Sequence, residues 1–326
     1  MIRLVLRSAL SCDYSPGAEE GRFSHQRFAD YLFGELQRRV EIVPPSARVP
    51  HLFLTSGWRR GRGRPAALAL SDLAHVFARG TMGPLVWARR NFQVARSVRL
   101  ADQLVVPSLE VMHGLERYLA VGAGRVLVMP PRPLEVFRRP RREAVEDLRR
   151  QLDLGRPYLV FAGSRSSRKN LELLGRAWRA AAALVGGELD LVLTGGGGGG
   201  IAGARDLGWV SDERLALLLA GAVAYVNPSL WEGSAIGAEE AMACGCPPVV
   251  AARGALPRAV TGAGLALDAT SLADWTQGLV ALATRPQLRQ ELAVGALRHA
   301  AETRGLQPPI SELLRRLGLE AGQDPR

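Results

Sequence analysis

The run Asn227-Pro-Ser-Leu-Trp-Glu-Gly-Ser-Ala-Ile-Gly-Ala-Glu-Glu-Ala-Met-Ala-Cys-Gly-Cys-Pro-Pro-Val-Val250 decides the fold. It ends an apolar segment, Val223–Asn227, crosses a glycine-bearing loop, enters a helix predicted over Gly237–Cys244 and leaves it in a second apolar run, Pro248–Ala251. Short continuous apolar runs joined through a helix are the pattern of parallel strands buried on both faces. Upstream the same alternation gives strands at Tyr158–Gly163, Leu189–Thr194 and, briefly, Leu207–Val210, with helices over Lys169–Val185 and Asp212–Leu219. Downstream follow a turn of helix at Leu256–Val260 and helices over Ser271–Ala283 and Pro286–Thr303.

The first half repeats the scheme. Strand-like runs occur at Ile2–Leu6, Val40–Val43, His51–Leu54, Ala67–Leu70, Gln103–Val106 and Arg125–Met129. Phe23–Arg39 and Pro84–Leu100 have helical periodicity, and Pro107 opens a further helix. Between the halves, Pro130–Arg142 is rich in proline and arginine without an apolar period and reads as a linker. The 326 residues also suit two domains of ordinary size. The expected fold is therefore α/β, with two Rossmann-like doubly wound domains, residues 1–150 and 151–305, facing each other across a cleft.

Composition removes several alternatives. At 47% hydrophobic and 22% charged residues the chain is neither disordered nor a stapled scaffold. Cys12, Cys244 and Cys246 supply one C-x-C with nothing to complete a zinc site, which fits a reducing compartment. His25, His51, His75, His113 and His299 are scattered. No apolar stretch approaches the roughly 18 residues of a membrane span, and the opening run is short for a leader, so the expected location is cytoplasmic. The formal charge of +11 lies in residues 1–150, with 25 Arg against 14 Asp and Glu; residues 151–326 balance at 17 and 17. Such a half suits an anionic partner or a solvated basic surface. Among 42 basic residues only Lys169 is lysine.

Gly195–Gly200 matches G-x-G-x-x-G after a strand, but no long helix opens behind it, so it reads as a flexible loop. The absence of G-K-[ST] excludes a P-loop, and Ser164, Ser229 and Ser234 lack a nucleophile elbow. Two stretches remain. Phe161-Ala-Gly-Ser-Arg-Ser-Ser-Arg-Lys-Asn170 ends a strand in Gly163 and brings Arg165, Arg168 and Lys169 to a helix start, where cations oppose the helix dipole unless an anion binds. In the opening run, Glu232 lies in the loop and Glu240 in the first helical turn: amides for phosphate oxygens, carboxylates for hydroxyls. From physics alone, plain dipole complementation at the helix start is the better account of Glu239 and Glu240.

Glu232-x7-Glu240, followed by Ala-Met-Ala-Cys-Gly245 and preceded by Asn-Pro-Ser229, resembles the E-x7-E signature of retaining nucleotide-sugar glycosyltransferases of family 4. The run from Gly163 to Asn170, the Leu207-Gly-Trp-Val-Ser-Asp212 stretch and the strand before Asn227 fall in that family's order, so the resemblance covers about residues 96–300. It implies a GT-B fold and an enzyme moving a hexose, mannose by the look of the Arg-Lys-Asn loop, from a nucleotide-diphosphate sugar to a glycan or lipid-linked acceptor. By the same resemblance, Lys169 with Arg165 or Arg168 and the loop at Gly163 would hold the donor diphosphate. The amides of Gly233, Ser234, Ala235 and Ile236 would face its phosphate. Glu240 would bind the ribose and Glu232, beside Gly233, the transferred sugar, with Glu232 and Lys169 as the catalytic pair. No metal or other cofactor is implied, and residues 306–326 would pack back on the N-terminal domain.

The acceptor would lie against the N-terminal domain, at Ser71 and Asp72 and at the Ser15–Phe23 loop with Gly17 and Gly21. An anionic membrane surface, met by the basic half and the cluster Arg59–Arg64, would make the protein peripheral at the inner face of the membrane. Nucleic acid is not an expected partner, since no recognisable module accompanies the charge. Three departures stand out. Gly233-Ser-Ala-Ile-Gly237 replaces the usual Gly-Phe-Gly-Leu-Pro, Ser164 replaces a frequent arginine, and Ser71 replaces the histidine of a His-Asp pair. They motivate the alternative of a non-catalytic GT-B module that binds a nucleotide sugar or a partner.

Overall fold

The computed structural model describes residues 9–12, 24–43, 50–53, 65–306 and 308–319. Within them every apolar run read as a strand, save one, becomes a strand of a parallel sheet. The first sheet comprises β1 (Ala9–Cys12), β2 (Glu41–Val43), β3 (His51–Phe53), β4 (Ala66–Ala69), β5 (Gln103–Val106) and β6 (Val126–Val128), in the order β2-β1-β3-β4-β5-β6. The second comprises β7 (Tyr158–Ala162), β8 (Asp190–Thr194), β9 (Arg205–Asp206), β10 (Ala224–Asn227), β11 (Pro248–Ala251) and β12 (Leu265–Leu267), in the order β12-β11-β10-β7-β8-β9. The chain accordingly divides into two Rossmann-like α/β units, one ending at Pro131 and rejoined after residue 307, the other running from Arg132 to Leu306.

Side-chain alternation places each sheet between two apolar layers. In the second unit Leu159, Phe161, Leu191 and Leu193 join Trp178 and Trp275 on one face, while Tyr158, Val160 and Val192 join Leu218 and Leu219 on the other. Serines cap the flanking helices: the hydroxyls of Ser211 and Ser271 accept hydrogen bonds from the amides of Arg214 and Asp274. In the first unit Phe28, Leu32 and Leu36 of the helix Ser24–Gln37 pack on one face with Ile310, Leu313, Leu314 and Leu317 of the helix Ile310–Arg316. Arg316 adds hydrogen bonds to Gln103 and to the Gly124 carbonyl.

Three expectations need correction. The second unit starts at Arg132 rather than residue 151, because the helix that follows the Pro130–Arg142 stretch, Arg142–Gln151, buries Leu148 in the second core. Part of the basic excess goes with it: residues 132–150 carry seven Arg against four Asp and Glu. Leu207–Val210 is not a strand. The pairing is at Arg205–Asp206, and the Asp206 carboxylate accepts a hydrogen bond from the Gly208 amide at 3.0 Å, turning the chain at Leu207. Finally, β1 occupies Ala9–Cys12, a polar-interrupted run that the apolar pattern passes over; Ile2–Leu6 lies outside the described residues.

Candidate active site

In the second sheet β7, β8 and β9 progress to one side, and the chain then returns to place β10 on the other side of β7. The carboxyl ends of β7 and β10 therefore flank the point where strand order reverses, where open parallel sheets bind ligands. Both candidate loops leave from there: residues 163–170 after β7 and 228–235 after β10.

Backbone and side chains lace these loops together. The Leu230 amide donates to the Arg168 carbonyl at 2.9 Å, Arg168 Nη1 donates to the Trp231 carbonyl at 2.5 Å, and Asn170 Nδ2 donates to Pro228 at 3.3 Å and Ala269 at 3.0 Å. Asn170 has φ of 53°, a left-handed conformation that asparagine tolerates better than most residues. It breaks the chain between the 3₁₀ turn Ser167–Lys169 and the helix Leu171–Leu184, so Lys169 precedes the helix instead of starting it.

At the centre is a buried charge cluster. Lys169 Nζ lies 2.5 Å from Glu232 Oε1 and Arg168 Nη1 lies 2.9 Å from Glu232 Oε2. Lys169 is 6% exposed and Glu232 4%. Burial alone would raise the Glu232 carboxyl, but the charges of Lys169 and Arg168, with hydrogen bonds from Lys169 and Ser229, outweigh it and hold the pKa down to about 2. The carboxylate offers about four acceptor positions, so after Lys169, Arg168 and Ser229 about one remains for a hydroxyl. Glu240, also 4% exposed, lies on the helix Ile236–Ala243 that starts beyond this loop. The Tyr225 phenol, which accepts a hydrogen bond from Asn227 Nδ2 at 3.4 Å, is pushed upward by burial and then by the negative charges of Glu232 and Glu240. Glu239 is half-buried in the first turn of that helix.

The depressed Glu232 pKa makes stability acid-sensitive. Its native pKa lies below the ordinary 4.5, so the unfolded chain binds more protons between those values. The contribution is complete above about pH 4.5 and lost as pH falls toward 2, amounting to about 3 kcal/mol. Unfolding free energies of wild type and Glu232→Gln, measured from pH 6 to pH 2, are expected to converge as the pH drops. Parallel curves would show that Glu232 ionises as it does in the unfolded chain.

Other expected donor residues stand differently. Arg165 is turned away from the carboxylate cluster: it forms a two-pronged ion pair with Asp206, whose pKa is lowered mainly by that hydrogen bond. The Gly163 amide is spent on the Thr194 carbonyl at 3.1 Å, so it is not offered to a ligand. The Ile236 amide bonds Ser234 Oγ at 3.3 Å, while the backbone of Gly233, Ser234 and Ala235 leads into the helix start. Ser71 and Asp72 belong to the first unit, where Asp72 Oδ1 accepts the Ala74 amide at 3.0 Å as a helix begins. Gly17, Gly21 and the cluster Arg59–Arg64 lie outside the described residues.

Sequence reading missed the supports. Ser229 is fully buried beside Glu232, and Asn227 Oδ1 accepts its backbone amide at 3.2 Å. The Ala255 amide holds the Glu232 carbonyl at 2.9 Å, and a Cβ on neighbouring Gly254 would lie 2.2 Å from that same oxygen. Gly195 likewise would place a Cβ 2.1 Å from the Gly163 carbonyl, so the glycine run is a packing requirement where it meets the first loop. The signal was present in the glycines' places after β8 and β11, although nothing local names their partners. Among the described residues no three His, Cys, Asp or Glu side chains group as metal ligands could.

Comparison with known proteins gives a consistent picture. The family model described as glycosyl transferases group 1 matches residues 156–285. The D-inositol 3-phosphate glycosyltransferase of Nocardiopsis dassonvillei is 32% identical over 354 aligned positions, spanning 95% of this chain and 80% of that protein. A shorter match, 53% identical over 51 residues, covers 16% of this chain and 12% of the MMP alpha-(1->4)-mannosyltransferase of Mycolicibacterium hassiacum. Among solved structures, sucrose-phosphate synthase from Thermosynechococcus elongatus superposes with a TM-score of 0.75 at 17% identity, covering 96% of this chain and 99% of that one.

Proposed function

Since the chain belongs to the group 1 glycosyltransferases and has the two Rossmann-like units of a GT-B fold, we propose that it is a retaining, family 4-type enzyme transferring a hexose, mannose in the first instance, from a nucleotide-diphosphate sugar to a glycan or lipid-linked acceptor. The observation that carries this reading is the buried Lys169–Glu232–Arg168 cluster at the carboxyl ends of β7 and β10. In the reaction the bond between the anomeric carbon and the phosphate oxygen breaks, its electron pair leaves with the nucleoside diphosphate, and the acceptor hydroxyl forms the new glycosidic bond as its proton passes to the departing phosphate. Lys169 and Arg168 are fixed before substrate arrives and stabilise the charge growing on the diphosphate, so no metal takes part in this reading. Glu232 orients those cations and accepts a hydroxyl of the sugar, and Glu240 accepts hydroxyls of the ribose. The short match to a mannosyltransferase supports mannose as the sugar.

Thermal unfolding with GDP-, UDP-, ADP- and TDP-sugars tests the donor site. At a concentration of 100 times Kd a donor adds about 2.7 kcal/mol of stability. The expected result is a shift selective for one base and lost in Lys169→Ala, with sugar release or transfer from that donor. No shift with any donor refutes the reading, while a shift without turnover identifies a binding module, the outcome that Ser71 would favour.

A further inference from the structure

The helix Pro84–Leu100 of the first unit buries Val94, Ser97 and Val98. At helical spacing the opposite side is the stripe Leu85, Arg89, Phe92, Arg96 and Arg99, all exposed. Leu85 is 87% exposed, Phe92 71% and adjacent Val86 60%. Such side chains standing together in water mark a contact surface. The charge along this stretch of chain has one sign: Arg79, Arg89, Arg90, Arg96 and Arg99 occur between Asp72 and Asp102 with no Asp or Glu among them. Arg79 stacks on Trp87 at the same end of the helix, its guanidinium carbon 3.9 Å from the ring centroid.

We propose that this face docks on an anionic lipid bilayer, with Leu85, Val86 and Phe92 entering the interface and the arginines meeting phosphate headgroups. Charge complementarity selects this occupant. A second copy would oppose arginine to arginine, and a nucleic-acid backbone offers phosphates without an apolar layer for Leu85 and Phe92. The headgroup region supplies both, at the roughly 5–10 Å depth that an in-plane helix reaches. The helix lies on the membrane, since no helix among the described residues is long and apolar enough to cross one. The inference deepens the proposed use of a lipid-linked acceptor and rests on that reading for its purpose only.

Co-sedimentation of the full chain with vesicles, without donor, tests it separately from the sugar chemistry. Binding is expected to phosphatidylcholine vesicles containing about a third phosphatidylglycerol and not to pure phosphatidylcholine. Leu85→Ser with Phe92→Ser is expected to weaken binding at least about tenfold. Arg89→Gln with Arg96→Gln weakens it about 30-fold at two charges lost. Leu184→Ser, which removes an equally exposed leucine from the second unit, leaves binding unchanged. All the altered side chains are exposed, so unaltered thermal unfolding confirms that the variants fold. Equal binding to neutral and anionic vesicles, full binding by the Leu85 and Phe92 variant, self-association abolished by that variant, or capture of an oligonucleotide in place of vesicles would each overturn the proposal. None of these results bears on whether a donor binds.

Discussion

Glu232→Gln is expected to lower transfer by about 10²–10³-fold while the chain still folds. The substitution keeps the shape of the side chain but removes the charge on which Lys169 and Arg168 converge. One amide oxygen can still accept the lysine, whereas the amide nitrogen now faces the Arg168 guanidinium. Two cations are then partly unpaired in a buried place, costing up to about 3 kcal/mol of stability. Initial rates at saturating donor separate the two effects: a fall in kcat beyond the loss of folded protein supports a role for the carboxylate toward the sugar. Transfer at the wild-type rate per folded molecule would reduce Glu232 to a structural counter-ion.

Lys169→Met is expected to cost at least as much, about 10³-fold in kcat, because in the proposed reaction the ammonium is the compact charge that meets the leaving group. It also leaves Glu232 facing Arg168 alone, so the carboxyl rises from about 2 and acid sensitivity moves to higher pH. Lys169→Arg should restore little. Lys169 is 6% exposed and its ammonium already meets Glu232, so the longer, planar guanidinium would have to displace its neighbours. Recovery of most of the rate by arginine would show that the position needs only positive charge. Titrating activity and unfolding together tells loss of catalysis from loss of fold.

These expectations rest on contacts between residues 63 positions apart, and that separation marks where the sequence stops speaking. Spacing placed Lys169 on one loop and Glu232 on another, and the order of apolar runs brought both loops to the ends of parallel strands. It did not show that the two side chains pair, nor that Arg165 prefers Asp206, 41 residues away, to a ligand. Strands β7, β8, β10 and β11 were legible because continuous burial leaves continuous apolar runs. The three-residue strand β12, only partly buried, leaves no such mark. The helix Arg142–Gln151 was hidden by arginines around two buried side chains, Val145 and Leu148. The support Gly254 was unreadable for another reason: it acts through tertiary contact with the Glu232 carbonyl, whereas Asn227 and Ser229 meet two residues apart in a local turn of the Asn-Pro-Ser run.

The return of residues 308–319 to the first unit has a consequence for how the protein is made. The core side chains of the second unit all lie within Arg132–Leu306, so they have been synthesised before the helix Ile310–Arg316 exists. The first unit begins earlier and finishes later, since the face carrying Phe28, Leu32 and Leu36 waits for Ile310, Leu313, Leu314 and Leu317. Domains usually mature in the order of their synthesis. Here the second unit can close while its predecessor still exposes an apolar face to the cell, and translation stopped just short of the helix Ile310–Arg316 would release a chain with an intact charge cluster and an open first core.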